Sequence, residues 1–219
     1  MAKETATQKI ARLKNIIELL QQAYPEAHCA LTHRNPFELL VATILSAQCT
    51  DKRVNLVTPA LFAAYPDSSS LAKAKLADVE TLIRSTGFYH NKAKNLLGLG
   101  KALLKDHNGK VPVELDWLVN LPGVGRKTAN VVLGNAFGIA SGVVVDTHVT
   151  RITRLLKLTS ASSPEKIELA LNRIVPKNQW ILLPHLLIAH GRQVCIARRP
   201  QCQNCVISDF CPSQKPVIK

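Results

Sequence analysis

The sequence predicts an all-α protein, on three observations. Apolar residues recur three and four positions apart along most of the chain, the spacing of one helix face. Start and stop signals punctuate that pattern: Asn35-Pro36 and Ser163-Pro164 read as N-cap and first-turn pairs, Asn108-Gly109 and Gly138 as stops. No stretch alternates with the period of two that a half-buried strand requires. About ten helices joined by short loops are expected.

Residues 5–22 place Ile10, Leu13, Ile16, Ile17 and Leu20 on one face, and Pro25 ends that helix. Asn35-Pro36 opens the next, through Phe37, Leu40, Val41, Ile44 and Leu45. The pattern lapses at Ser46-Ala-Gln-Cys-Thr-Asp51, where Thr50 or Asp51 caps a helix carrying Val54, Val57, Leu61 and Phe62. Pro59 is expected to kink or split it. Ser68 to Ser70 open a helix through Leu76, Val79, Leu82 and Ile83, stopped near Gly87. Phe88 to Lys92 reads as a loop, followed by a helix to about Asp106.

A short helix from Leu115 to Asn120 leads into Leu121-Pro-Gly-Val-Gly-Arg-Lys-Thr-Ala129. Gly123 and Gly125 permit backbone conformations and close approaches that a β-carbon forbids. The helix beginning at Arg126 carries Ala129, Val132, Leu133, Ala136 and Phe137 and ends at Gly138. A glycine turn opening a helix aims backbone N–H groups and the positive dipole end at one spot, which suits a phosphate. Val143 to Val145 is a β-branched run ending at Asp146, before a helix through Val149, Ile152, Leu155 and Leu156. Ser163-Pro164-Glu165 starts a helix through Ile167, Leu171 and Ile174, and the apolar run Trp180 to Ala189 is expected to be buried.

With 219 residues, 47% of them apolar, the chain is long enough for a sizeable core, and its formal net charge of +13 is the footprint of a polyanion partner. Nucleic acid comes first and an anionic membrane second. The N-terminus lacks the apolar core of a secretory signal, and no run approaches the about 18 apolar residues of a membrane span. The expectation is a soluble, cytoplasmic protein. Of six cysteines, Cys29 and Cys49 stand alone and read as ordinary buried thiols. The others form a Cys-x6-Cys-x2-Cys-x5-Cys tail of Cys195, Cys202, Cys205 and Cys211. Four thiolates so close in sequence converge on structural zinc or on an iron–sulfur cluster. Only one Cys-x2-Cys pair is present, which leans away from zinc.

The glycine hairpin with Lys127, the run Val145-Asp-Thr-His148 and the four-cysteine tail together resemble the endonuclease III family of DNA glycosylases, within the helix-hairpin-helix superfamily. The resemblance runs from about residue 10 to Cys211 and includes Leu45-Ser-Ala-Gln48 and Gly87-Phe-Tyr-His-Asn-Lys-Ala93. It implies a two-lobed helical fold with the active site in the cleft between the lobes. One lobe is a six-helix barrel over 29–139 containing the hairpin. The other joins 1–28 to 140–219 and carries a [4Fe–4S] cluster on the loop 195–211. It also implies that Lys127 attacks C1′ of a flipped-out damaged nucleotide, forms a Schiff base and nicks the strand by β-elimination, with Asp146 assisting.

The typical substrates of that family are oxidised or ring-damaged pyrimidines, in double-stranded DNA that carries the damaged base or an abasic site. A monomer acting at the nucleoid is expected. Gly123, Val124, Gly125 and Arg126 would hold the strand. Gln48 would fill the gap left by the flipped base, and Phe88 would wedge the opposite strand where the family commonly has leucine. His148 is expected to be a structural hydrogen-bonder.

The chemistry agrees with these roles. Base removal develops positive charge on the sugar, which a carboxylate at Asp146 stabilises. An amine attacks only when neutral, and partial burial, Arg126 and the helix N-terminus are expected to favour that form of Lys127. Asp146 also suits the N-cap of the helix at Thr147. Two rivals remain: a monofunctional mismatch glycosylase, whose kind generally lacks a lysine at this position, and a non-catalytic hairpin DNA-binding module.

Overall fold

The computed structural model describes residues 4–214, and the outermost ends of the expected second lobe, 1–3 and 215–219, lie outside the described residues. Eleven α-helices and no strand are present among the described residues. None of the helices is long and apolar enough to cross a membrane. The chain divides into two compact units, one formed by the residues up to His28 with those from Ala140 on, the other by Cys29–Ile139.

The central unit holds α2 (Pro36–Leu45), α3 (Asp51–Ala64), α4 (Ser68–Ala72), α5 (Leu76–Ile83), α6 (Tyr89–His107), α7 (Leu115–Val119) and α8 (Arg126–Phe137). The expected caps form: Asn35 accepts from Glu38 N, and Thr50, not Asp51, caps α3 by accepting from Arg53 N. The core gathers Leu39, Leu40, Leu45, Leu61, Leu96, Leu99 and Leu133. Helix α2 is buried along its whole length from Glu38 to Leu45 and lies against α8, so the hairpin helix rests on the most apolar segment of the unit.

Three expectations are corrected here. Of the kink or split expected at Pro59, the split does not occur, and α3 runs on through it as one helix. Pro59 sits on the exposed face, where the carbonyl that loses its donor can turn to water. The single helix expected from Ser68 to Ile83 is two. Asp67 caps the first by accepting from Ser70 N at 2.7 Å, and Lys73–Lys75 separates them. Leu71 and Leu76 are out of helical register, and the break lets Leu71 join Val79 and Ile83 in the core. The short helix α4 also packs closely on α6: a β-carbon at Gly100 would stand 2.7 Å from Ala72 N and 2.9 Å from Ser68 O. Finally, Phe88–Lys92 is not a loop. Helix α6 begins at Tyr89, directly after Gly87 and Phe88, both of positive φ.

The other unit holds α1 (Ala6–Ala23), α9 (Thr147–Leu155), α10 (Pro164–Ile174) and α11 (Leu182–Gln193), followed by the cysteine tail. Its core joins Leu13, Ile16 and Leu20 of α1 to Val149 and Ile152 of α9, with Leu183, Leu186 and Leu187 of α11. Ile10, expected on the buried face of α1, is 42% exposed. Trp180 is half-buried and donates its indole N–H to Val175 O at 2.9 Å.

Candidate nucleic-acid and metal sites

Helix α7, the turn Leu121–Gly125 and α8 form the glycine hairpin. Leu121 and Val124 are buried and anchor it, with Val124 N donating to Leu121 O at 3.1 Å. Burial makes Val124 an anchor whose side chain points into the protein, leaving its backbone for any DNA contact. The two glycines differ in kind. Gly123 has φ +78, the left-handed region, and a β-carbon there would lie 3.0 Å from Asn95 Cβ. Gly125, the N-cap of α8, has an ordinary φ of −93, and a β-carbon there would meet nothing within 4 Å. The fold therefore requires glycine at 123 only, which corrects the expectation of special backbone at both.

No side chain caps α8, a state it shares with α5, α6, α7 and α11, whereas side chains cap α1, α2, α3, α4, α9 and α10. Arg126 and Lys127 are exposed in the first turn of that helix. The partial burial expected for Lys127 is not found, so the protein around it does not strip water from the amine.

Gln48 and Phe88 lie in this same unit, each in left-handed backbone, at φ 53 and φ 49. Such a conformation costs a bulky residue about 1–2 kcal/mol and persists only where the surroundings enforce it. Both side chains are exposed, Phe88 to 64%, so neither is packed into the core. The ammonium of Lys92, itself 5% exposed, donates to Leu45 O at 2.8 Å and to Thr86 O at 2.9 Å, close before each of the two. The sequence pattern puts Lys92 in a loop. Its spacing with Leu96, Leu99 and Leu103, all buried on one stripe of α6, was the signal that could have found it.

Asp146 belongs to the other unit and is the N-cap of α9, its Oδ1 accepting from Val149 N at 2.8 Å. Oδ2 makes no hydrogen bond among the described residues, so half of the carboxylate is structural and half is available. His148 does not show the hydrogen bond expected of it. Its Nδ1 is buried without a partner, close enough to Gly191 that a β-carbon there would meet it at 2.6 Å.

Cys195, Cys202, Cys205 and Cys211 line one cavity of about 80 Å³, walled by Ile152, Leu156 and Ile207. Short 3-10 turns at Cys202–Asn204 and Ser208–Phe210 fold the tail around it, and Arg12 pins Phe210 O at 2.9 Å. Burial pushes the Cys205 and Cys211 thiols up, and the other cysteines push the same way. A cationic centre is what would hold these groups as thiolates. Among the described residues no three His, Cys, Asp or Glu side chains are placed to hold a single ion. Four thiols facing a shared apolar cavity suit a multi-iron cluster better than one zinc, whose thiolates converge at about 2.3 Å from the metal.

Two further groups face the sulfurs, and sequence reasoning named neither. Arg151 Nη1 donates to Cys195 Sγ at 3.4 Å, and His190 Nε2 lies 3.6 Å from Cys205 Sγ. Burial, then the nearby Arg151 charge, holds the His190 imidazole down to about 4, so it is neutral. Its Nδ1 is 3.0 Å from the Tyr24 hydroxyl. A ligating thiolate carries no proton, so Nε2 must be the donor and Nδ1 must accept from Tyr24.

The comparisons agree with this picture. Residues 41–177 match the model of the HhH-GPD superfamily base excision DNA repair protein, and residues 195–211 match the iron–sulfur binding domain of endonuclease III. The chain is 50% identical over 205 residues to endonuclease III of Synechocystis sp., covering 94% of each. It is 39% identical over 207 residues to that of Escherichia coli K12, covering 94% of this chain and 98% of the relative. A solved structure of a trapped endonuclease III–DNA covalent intermediate superposes with a TM-score of 0.88 at 42% identity, covering 94% of this chain and 96% of that one.

Proposed function

The chain belongs to the endonuclease III family of base excision repair enzymes, DNA glycosylases that are also abasic-site lyases and carry a [4Fe–4S] cluster, and on that premise we propose that Lys127 is its nucleophile and Asp146 the carboxylate that assists it. The uncapped, exposed start of α8 carries the proposal, because it presents an amine beside a phosphate-binding hairpin. The substrate is double-stranded DNA holding an oxidised or ring-damaged pyrimidine, or an abasic site. Gly123, Val124, Gly125 and Arg126 hold the strand, Gln48 fills the space of the extruded base, and Phe88 contacts the opposite strand.

In this reading the damaged base departs from C1′ with the bonding electron pair and a proton. The Lys127 nitrogen bonds C1′ and gives up one proton, and as the C1′–O4′ bond breaks with O4′ taking a proton it becomes a protonated Schiff base. Loss of a proton from C2′ then expels the 3′ phosphate and nicks the strand. The free oxygen of Asp146 faces the positive charge that develops on the sugar. Since the protein leaves Lys127 exposed, dehydration of the amine comes from the DNA that covers it. The cluster, held by Cys195, Cys202, Cys205 and Cys211, supplies cross-links that order the tail. In this reading residues 29–139 form the hairpin domain and 1–28 with 140–219 the cluster domain, and the division into two compact units supports it. The protein works as a monomer in the cytoplasm, at the nucleoid.

Borohydride trapping on an abasic-site duplex tests the proposal. Wild-type protein forms a covalent adduct and Lys127→Ala forms none; an adduct that survives the substitution would overturn the assignment.

A further inference from the structure

Lys92 has no role in the reaction above, yet its burial is the least expected in the central unit. Its ammonium is sequestered with backbone carbonyls as its hydrogen-bond partners and no carboxylate. Burying a cation this way is unfavourable, and desolvation lowers its affinity for the proton. A methionine would fill the same space without that penalty, so what the ammonium does with its donors matters.

The two carbonyls end different elements, α2 and the 3-10 turn Arg84–Thr86. Leu45 O is the last carbonyl of α2, a helix end whose other carbonyls are taken locally. Ala42 O accepts from Ser46 N, Thr43 O from Ser46 Oγ and Ile44 O from Ala47 N. Lys92 completes that end from a distant part of the chain, and its charge suits the negative end of the helix dipole. Thr86 O closes the 3-10 turn Arg84–Thr86, whose Thr86 side chain is also buried and bonded to Ile83 O. The backbone N–H of Lys92 then donates to Phe88 O at 3.1 Å. Beyond these fixed points the chain enters left-handed backbone, at Gln48 three residues after Leu45 and at Gly87 and Phe88 directly after Thr86.

We infer that Lys92 is a positioning residue for DNA interrogation: one buried ammonium ties the α2–α3 loop to the start of α6 and sets the separation at which Gln48 and Phe88 are presented to the duplex. The inference rests on the proposed roles of those two side chains in filling the gap and contacting the opposite strand. Neither side chain is held by a hydrogen bond of its own, so the carbonyls behind them fix where they emerge. A shift of either loop misplaces an inserted group, and misplacements of about 1 Å are enough to lower rates steeply.

The test compares Lys92→Met, Gln48→Ala and Phe88→Ala on two substrates: a duplex with one oxidised pyrimidine, and a single strand with a preformed abasic site, which has no gap and no opposite strand. A 2-aminopurine opposite the lesion reports unstacking of the orphaned base. Lys92→Met is expected to slow duplex excision about tenfold or more and to lose the fluorescence rise. Borohydride trapping on the single strand should fall far less. Lys92→Arg, which keeps the donors, should recover most of the duplex rate.

A wild-type duplex rate for Lys92→Met, or equal losses on the two substrates, would overturn the inference. If Gln48→Ala and Phe88→Ala leave duplex excision unchanged, the reading of those loops fails. If they impair it and Lys92→Met does not, the clasp alone fails. Should Lys92→Met not fold, Lys92→Gln keeps one shorter neutral donor. An intermediate loss confined to the duplex would support the clasp, and a wild-type rate would overturn it.

Discussion

Alanine at the two hairpin glycines should separate what the fold needs from what DNA needs. At Gly123 the backbone stays left-handed, which penalises alanine by about 1–2 kcal/mol. The new β-carbon would also press on Asn95, at 3.0 Å from its Cβ and 3.1 Å from its Nδ2. That crowding adds about 1 kcal/mol. Stiffening of the unfolded chain offsets about 0.4–1 kcal/mol. The net is a destabilisation of about 2 kcal/mol, or on the order of 4–8 °C in a chain of this size. At Gly125 neither penalty applies, because φ is −93 and the β-carbon meets open space. Gly125→Ala should therefore melt at the wild-type temperature or slightly above. Its methyl group would instead stand where a phosphate approaches the start of α8, and loss of one charged hydrogen bond weakens binding about tenfold or more. Circular dichroism melting, with fluorescence anisotropy on a duplex carrying a stable abasic-site analogue, gives both quantities. Equal destabilisation by the two substitutions, or wild-type binding by Gly125→Ala, would refute the division of labour.

Asp146 allows a similar separation within one side chain. Asp146→Asn keeps an acceptor for Val149 N and should leave stability nearly unchanged, whereas Asp146→Ala loses the cap and about 1 kcal/mol. Both should lose base excision by about a hundredfold in single-turnover assays, since the carboxylate charge proposed to stabilise the sugar cation is gone. Purified protein should be brown, absorbing near about 400 nm as cysteine-ligated iron–sulfur centres do. His190→Ala should shift the reduction potential of the cluster to more negative values in voltammetry, because an N–H donor to Cys205 Sγ is lost. Colourless protein with stoichiometric zinc would contradict both statements. With a net charge of +13, affinity for duplex should fall steeply between about 50 and 200 mM salt, and a flat titration would count against the phosphate cradle.

Much of this was legible in the chain because the signals are local. Asn35-Pro36, Ser163-Pro164, Asn108-Gly109 and Gly138 mark helix ends through interactions that span a few residues, and each appears where those residues stand. The cysteine spacing was legible for the same reason, since the ligands converge from one short segment. The misreadings lie where tertiary contact overrides local pattern. A run of serines and lysines between Ser68 and Leu76 reads as continuous helix, but the close approach at Gly100 and the burial of Leu71 demand a break. Phe88 to Lys92 looked like loop because a buried lysine and a left-handed phenylalanine have no propensity of their own for α6. The burial of Lys127 could not be judged from neighbours in sequence, because exposure depends on what the rest of the chain leaves open.

The residues missed share one mark, and it is a usable one. Lys92 falls on the stripe of Leu96, Leu99 and Leu103, and His190 on that of Leu183, Leu186 and Leu187. Glu38 sits in a helix whose buried length is apolar apart from it and Thr43. Each is a polar side chain at a position the helical period assigns to the core. Burying such a group unbonded costs about 1–3 kcal/mol, so a folded chain that keeps it must supply partners. In all three cases the partners lie outside the helix itself: Leu45 O and Thr86 O for Lys92, Tyr24 and Cys205 for His190, the backbone and guanidinium of Arg34 for Glu38. An ionisable interruption of an apolar stripe marks, in these three helices, where the helix holds something else in place, whereas the buried hydroxyls of Thr43 and Thr153 bond carbonyls of their own helices. Here two of those held objects are the loops that carry Gln48 and Phe88 and the cysteine tail, each tied to a helix by these contacts.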